Sequence, residues 1–268
     1  MTESLIKIEN LSQTLGKTQV LKSVSSSVGQ GEVIGILGLN GAGKTSLCEA
    51  LLGFRPATSG SVTLFGTSVD ALPGSSKLAI GYVPQKEELL THLTAEQNLK
   101  LFANFYPHWD WLFVEQLAEK WQVPLAKKVN TLSEGQRQKL SIITALGHHP
   151  RLLVLDEPVA SLDPLARRQF ISTLIDEMTA TNCTVLFSSH IVSDLERIAS
   201  RVWILKAGKL IIDETLDTLQ ERVARINRAS LFEHQPVLHE FNDGSLLVVT
   251  EKPVSALPLE QLFVEIHQ

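Results

Sequence analysis

The sequence predicts an α/β fold in which short apolar strands alternate with helices, and three stretches predict it. The first is Glu32-Val33-Ile34-Gly35-Ile36-Leu37, a buried strand. It runs into the glycine-rich segment from Gly38 to Gly43 and then into a helix, about Ser46 to Leu52, that stops at Gly53. The second is Leu152-Leu153-Val154-Leu155, an unbroken apolar run of the kind covered on both faces in a parallel sheet. The third is the strand-like run Thr184 to Ser188, which a helix from Pro164 to Met178 separates from the second. Strand, helix and strand at that spacing make a βαβ unit.

The remaining elements follow in order. Residues 4 to 37 read as β-rich: Leu5/Lys7 and Ile6/Ile8 alternate, Gly16-Lys17 marks a turn, and Gly29-Gln30-Gly31 breaks the chain before the glycine-rich loop. A strand pair is expected near Gly60 to Gly66, and a short strand at Ile80-Gly81-Tyr82-Val83, stopped by Pro84. From Thr94 to about Gly147 the pattern is helical, with one helix opening at Thr94-Ala95-Glu96-Gln97 and another from Trp111 to Trp121. The aromatic run Phe105 to Trp111 has the composition of a helical-region core. His148-His149 lacks metal-ligand spacing and reads as solvated polarity at a helix end. Beyond Arg222 the character shifts: Phe232 to His239, Ser245 to Thr250 and Phe263 to Ile266 are strand-like, and Asn242-Asp243-Gly244 is a hairpin turn. Residues 223–268 are therefore expected to form a small β-rich appendage, either a packing element or a regulatory one.

Composition narrows the class. The formal net charge is −5 with no long basic run, which argues against a nucleic-acid partner bound through a broad positive face. The N-terminus carries acids early and lacks a cationic-then-apolar leader pattern. No uncharged apolar run approaches bilayer-spanning length, so a cytosolic chain without a membrane span of its own is expected. Cys48 and Cys183 read as small core residues in a reducing compartment.

Three segments carry chemistry. Gly38-Leu39-Asn40-Gly41-Ala42-Gly43-Lys44-Thr45 fits the spacing of a phosphate-cradling loop. Its glycines let the backbone wrap a polyphosphate, and the helix behind it, starting near Ser46, points its positive end at the anion. Lys44 would reach the terminal phosphates, and the Thr45 hydroxyl would help hold Mg²⁺. Asp156-Glu157-Pro158 ends the apolar strand at the edge where α/β sheets bind ligands. Asp156 is placed to orient Mg²⁺ through water. Pro158 is expected to keep Glu157 extended, its carboxylate facing the terminal phosphate and polarising the attacking water. In Leu132-Ser133-Glu134-Gly135-Gln136, Ser133 is an N-cap and Gln136 completes a capping box. The Ser133 hydroxyl and Gly135 backbone at that helix start could grip a phosphate.

Together these segments resemble the ATP-binding subunit of an ABC transporter over roughly residues 4 to 222. The resemblance implies a P-loop NTPase of ABC type: a RecA-like core, an antiparallel β-subdomain and a helical subdomain at about 86–150, all within residues 1–222. It implies ATP and Mg²⁺ as cofactors, with Gly38, Asn40, Gly41, Ala42, Gly43, Lys44, Thr45 and Ser46 around the nucleotide. Gln85 falls where the family senses Mg²⁺ and the attacking water, and Mg²⁺ would be held by Thr45, Gln85 and Asp156. Glu157 and His190, the latter matching the family's switch histidine, would act with Gln85 in hydrolysis. Ser161-Leu162-Asp163 matches the loop that couples two ATP sites, and Ser133, Gly135 and Gln136 would close on ATP held by a second subunit, in a homo- or heterodimer. Leu15 takes the place of the usual adenine-stacking aromatic, and Glu134 that of the commonest glycine. Phe105 to Trp111 and Ser189 to Arg197 resemble ABC-2 type exporter ATPases of bacteria. The implied partner is an integral membrane permease, docking near Gln85 to Leu93 and holding the chain at the inner face of the cell membrane. A soluble, non-transport ATPase of the same family is the alternative.

Overall fold

In this computed structural model, residues 4–86, 88–160, 162–231, 235–250 and 257–267 are described. In chain order, β1 (Ile6–Leu15), β2 (Thr18–Val28) and β3 (Val33–Leu37) lead into α1 (Lys44–Leu51), then β4 (Ser59–Leu64), β5 (Thr67–Ser68), α2 (Gly74–Lys77) and β6 (Ile80–Val83). The helical stretch follows as α3 (Ala95–Ala103), α4 (Trp111–Lys120) and α5 (Glu134–Leu146). The chain re-enters the sheet at β7 (Leu152–Asp156) and continues through α6 (Pro164–Thr181), β8 (Thr184–Ser189), α7 (Val192–Ile198), β9 (Arg201–Lys206), β10 (Lys209–Thr215) and α8 (Leu216–Glu221). It finishes with β11 (Val223–Asn227), β12 (Val237–Glu240), β13 (Ser245–Val249) and α9 (Leu259–His267).

Among the described residues, the central sheet has the order β10-β9-β3-β8-β7-β6, parallel except for β10. Alternation along its strands divides the core in two. Ile34, Ile36, Leu152, Val154, Leu186 and Trp203 face α1 and the antiparallel sheet β2-β1-β4-β5. Leu153, Leu155, Val185, Phe187, Val202 and Ile204 face the opposite way, onto the helices. The α3–α5 insertion leaves β6 and returns to β7, its edge strand neighbour, so both ends of the insertion are anchored in the sheet. Each of its first turns is fixed by a side chain: Ser133 makes the expected capping box, Thr94 makes a second one, and Asp110 caps α4. Cys48 and Cys183 are buried.

The C-terminal region differs from its expectation: β11 (Val223–Asn227) is an additional strand, and its last element is a helix. Phe263 to Ile266 is helical, because Leu259, Leu262, Phe263 and Ile266 recur at helical spacing and all four are buried. The three-stranded sheet has the order β11-β13-β12, with β12 and β13 joined around Asn242-Asp243-Gly244 as expected. The expected strand from Phe232 begins only at Val237; Phe232, Glu233 and His234 lie outside the described residues. Leu247, Leu262 and Ile266 join the same apolar cluster as Leu195 and Ile198 of α7, so this sheet and α9 share a core with the main sheet.

His148 is also corrected. It is buried, stacked on Tyr106 at 3.9 Å between ring centroids, and its Nε2 lies 3.2 Å from the Ile80 carbonyl of β6. Only His149 is exposed, 3.1 Å from Asp110. Burial pushes His148 down from 6.5 to about 4. The unfolded chain thus takes up this proton below pH 6.5 while the folded chain refuses it until about pH 4. The stability it lends is complete above pH 6.5 and lost as pH falls toward 4, by about 3 kcal/mol at most. Denaturant unfolding across that range is expected to show the loss, and His148→Gln to flatten it.

Candidate functional site

The loop between β3 and α1 is built around Gly43, whose φ of 108° starts the helix in the left-handed region. A Cβ there would lie 2.9 Å from the Val20 carbonyl, so β2 closes over the loop and only glycine fits. Lys44, the first residue of α1, is 5% exposed. Its Nζ donates to the carbonyls of Gly38 (2.8 Å) and Leu39 (3.3 Å) and pairs with Glu157 Oε1 at 2.9 Å. The ammonium is therefore neutralised inside the protein by one carboxylate and two carbonyl dipoles.

β7 delivers Asp156 beside β8, where the parallel register sets Asp156 next to Ser188. Ser188 Oγ donates to Asp156 Oδ1 at 2.6 Å and accepts the Glu157 N–H at 2.9 Å. Asp156 Oδ2 is buried without a hydrogen-bond partner among the described residues. Burial raises the Asp156 carboxyl above its ordinary value, against the opposing pull of the Ser188 and Thr45 hydroxyls. An orphaned, dehydrated carboxylate oxygen next to a threonine hydroxyl is an incomplete coordination set for a hard cation.

Glu157 is not extended. Its φ is 49°, in the left-handed region, and this turn out of β7 sends its carboxylate back between the Lys44 ammonium and the His190 imidazole. Oε1 meets Lys44, and Oε2 lies 3.1 Å from His190 Nδ1. Proline removes the right-handed helical choice for the preceding residue, as expected, but the chain takes the left-handed well and not the extended one. His190 follows β8, and the Ser189 hydroxyl beside it accepts the Ile191 N–H at 2.9 Å.

Asn40, Gly41, Gly43, Lys44, Thr45, Ser46, Gln85 and Glu157 line one cleft of about 310 Å³, together with Val20. Gly38 and Ala42 sit in the loop's backbone without lining the cleft: Gly38 accepts from Lys44, and the Ala42 carbonyl accepts from Gly208 N–H at 3.0 Å. Leu15, half-buried at the end of β1, does not line the cleft; Val20, across the β1–β2 hairpin, does. Nor do Ser133, Gly135 and Gln136, which form the capped start of α5. A Cβ on Gly135 would come within 2.8 Å of Leu162, so that helix start packs on the segment leading into α6. Asp163 caps α6, whereas Ser161 lies outside the described residues. Ser188 and Val20 were missed by motif reading. The signal for Ser188 was a polar residue closing a fully buried apolar strand.

A glycine-wrapped loop, a buried lysine and a strand-end glutamate around one cleft, with Asp156 buried outside its lining at the carboxyl edge of a parallel sheet, define a P-loop nucleotide-binding protein. The ABC transporter family model matches residues 21–160, just over half of the chain. The uncharacterized ABC transporter ATP-binding protein YdbJ of Bacillus subtilis is 35% identical over 218 residues, covering 81% of this chain and 71% of that one. The Nod factor export ATP-binding protein I of Sinorhizobium fredii is 31% identical over 220 residues, 78% of this chain and 62% of that protein. A solved structure described as the ATP-binding subunit of an ABC transporter superposes with a TM-score of 0.72 at 28% identity, over 81% of this chain and 92% of its own. The chain belongs to the ABC transporter family and is an ATP-binding, ATP-hydrolysing subunit. Among the described residues, no helix is long and apolar enough to cross a membrane.

Because burial disfavours the charged form of Asp156, its ionised state costs the nucleotide-free fold stability at every pH above its raised folded value. That cost vanishes as pH falls below the ordinary 3.8. Asp156→Asn is expected to raise the melting temperature of the nucleotide-free chain at neutral pH, and the gain to shrink on acidification. A lower melting temperature at neutral pH would contradict this account.

Proposed function

We propose that the chain binds MgATP in this cleft, pairs head-to-tail with a second ATP-binding subunit, and uses hydrolysis to drive a separately encoded membrane permease, in the direction of export. The reading is carried by one observation: Glu157 is held between Lys44 and His190 at the mouth of a phosphate-sized cleft. Glu157 then polarises the attacking water, and His190 steadies both that carboxylate and the terminal phosphate. Gln85, exposed at the end of β6 and lining the same cleft, completes the reacting side.

Mg²⁺ would be held by Thr45, Gln85 and Asp156. The fit is supported by the orphaned Asp156 Oδ2 beside the Thr45 hydroxyl. When bound, the ion supplies positive charge against the phosphate oxygens. This chain's own part is to present a dehydrated carboxylate and a hydroxyl at fixed positions. Ser133, Gly135 and Gln136 are outside the cleft of their own chain, which suits a role toward nucleotide held by a partner subunit. Adenine would meet the apolar side chain of Val20, in place of Leu15, without aromatic stacking.

The permease would dock near Gln85 to Leu93, of which Glu87 lies outside the described residues. In support, Leu90 is 39% exposed, and Asn98 fixes its backbone by accepting its N–H (2.8 Å) and donating to its carbonyl (3.1 Å). That partner would hold the chain at the inner face of the cell membrane. Export is favoured by the stated export role of the Nod factor relative. Residues 1–222 would be the ATPase domain, with residues 86–150 its helical subdomain and residues 223–268 an appendage.

Glu157→Gln is expected to cut steady-state phosphate release by at least about 10²-fold while leaving ATP binding intact. With ATP present it should also trap a dimer visible by size-exclusion chromatography. Undiminished hydrolysis would remove Glu157 from the mechanism. Recovery of this chain from its native membranes in mild detergent is expected to bring a polytopic membrane protein with it; soluble partners alone would refute the transport role.

A further inference from the structure

We infer that Ser188 is a positioning residue for hydrolysis, whose hydroxyl sets Asp156 and Glu157 in their working geometry at once. The register of β7 and β8 pairs Ser188 with Asp156, so the two side chains stand next to each other at the sheet's carboxyl edge. All of Ser188 is buried, with 0% exposure, as is Asp156. Its hydroxyl has one hydrogen and two lone pairs, and the structure uses both functions. The hydrogen goes to Asp156 Oδ1 at 2.6 Å, and a lone pair accepts the Glu157 N–H at 2.9 Å.

Each bond has a separate consequence. The first occupies Oδ1 and leaves Oδ2 as the Asp156 oxygen without a hydrogen-bond partner among the described residues. The second pins the backbone of Glu157 at a φ of 49°. A left-handed non-glycine residue persists only where its surroundings over-determine it, and here the following proline adds a further restriction. The Glu157 carboxylate reaches both Lys44 and His190 from that backbone conformation. Without the hydroxyl, the Glu157 N–H and Asp156 Oδ1 would both be left buried and unpaired, and the turn would lose the contact that selects it. Ser188 does not itself line the cleft and reaches it only through Glu157, so nucleotide affinity does not depend on it directly.

This inference rests on the proposed roles of Asp156 and Glu157, and Glu157→Gln assayed in parallel separates the two. Ser188→Ala is expected to lower kcat by about 10- to 100-fold, the range seen when a group that orients a first-sphere ligand is lost. The dissociation constant for ATP, measured by equilibrium binding without turnover, should move by less than about threefold. In the nucleotide-free protein, the same change should speed hydrogen–deuterium exchange at the Glu157 amide, since its acceptor is gone. Ser188→Thr keeps the hydroxyl and should restore kcat to within about threefold of the parent. Where Ser188→Ala melts below the assay temperature, Ser188→Cys is read in its place, since a thiol keeps the volume but is a weak hydrogen-bonding group.

An unchanged kcat in the alanine chain overturns the inference, and so does failure of threonine to rescue. A fall in ATP affinity that matches the fall in kcat also overturns it, because that is the signature of a general structural defect. If Glu157→Gln keeps full turnover, the reading of the site itself fails. If Glu157→Gln loses turnover while Ser188→Ala is fully active, only the role of Ser188 fails.

Discussion

An ammonium group buried at the edge of an apolar sheet must find compensating charge, because dehydration of an unpaired cation costs several kcal/mol or more. Lys44 finds it in Glu157 and in the carbonyls of Gly38 and Leu39, and much of the surrounding architecture follows from that arrangement. The loop has to fold back on itself so that its carbonyls face the lysine, which forces the left-handed start of α1 at Gly43. Glu157 must turn out of β7 against its own backbone preference to reach across, and β8 must offer a hydroxyl to hold it there. A phosphate entering the cleft competes with Glu157 for the same ammonium. On the proposed reading, nucleotide binding and release of Glu157 Oε1 from Lys44 would be opposite sides of one exchange of partners.

The parts of the fold that could be read from sequence are those where one local signal decides. Leu152 to Leu155 could only be a buried strand, and Thr94, Ser133 and Asp163 each stand at a helix start that the structure fixes by a side-chain hydrogen bond. The phosphate loop and the acids after β7 were legible because their chemistry depends on contiguous residues. Elements decided by tertiary context were not. β11 and α7 are short, and their stability comes from β13 and α6, far away in the chain. α9 looked strand-like because Phe263 to Ile266 is a short segment with β-forming residues; its helical period shows only when Leu259 and Leu262 are counted with it. His148 was misjudged for a related reason. Its burial depends on Tyr106 and on the Ile80 carbonyl, which no local pattern brings together. In the cleft, the same limit hid Val20, which reaches the phosphate loop only through the β1–β2 hairpin.

The loops around the cleft are also tied to one another by buried polar contacts. Behind Glu157, Arg167 of α6 donates to the carbonyls of Val159 (3.3 Å) and Leu162 (3.2 Å) and lies 3.8 Å from Asp194 of α7. Asp194 accepts from Ser189, whose hydroxyl shapes the backbone just after His190. The segment leaving Glu157 and the segment carrying His190 therefore share one guanidinium, and neither shifts without disturbing the other's hydrogen bonds. On the far side, the β9–β10 turn accepts the Lys22 N–H at Gly208 and donates to Ala42 within the phosphate loop. Lys206, at the root of that turn, donates to the Ile266 carbonyl at the end of α9. The C-terminal helix is thus fastened to the strand end that supports the phosphate loop. The segments after β7, β8 and β9 that surround the cleft are thus each anchored to a neighbour as well as to their own strand.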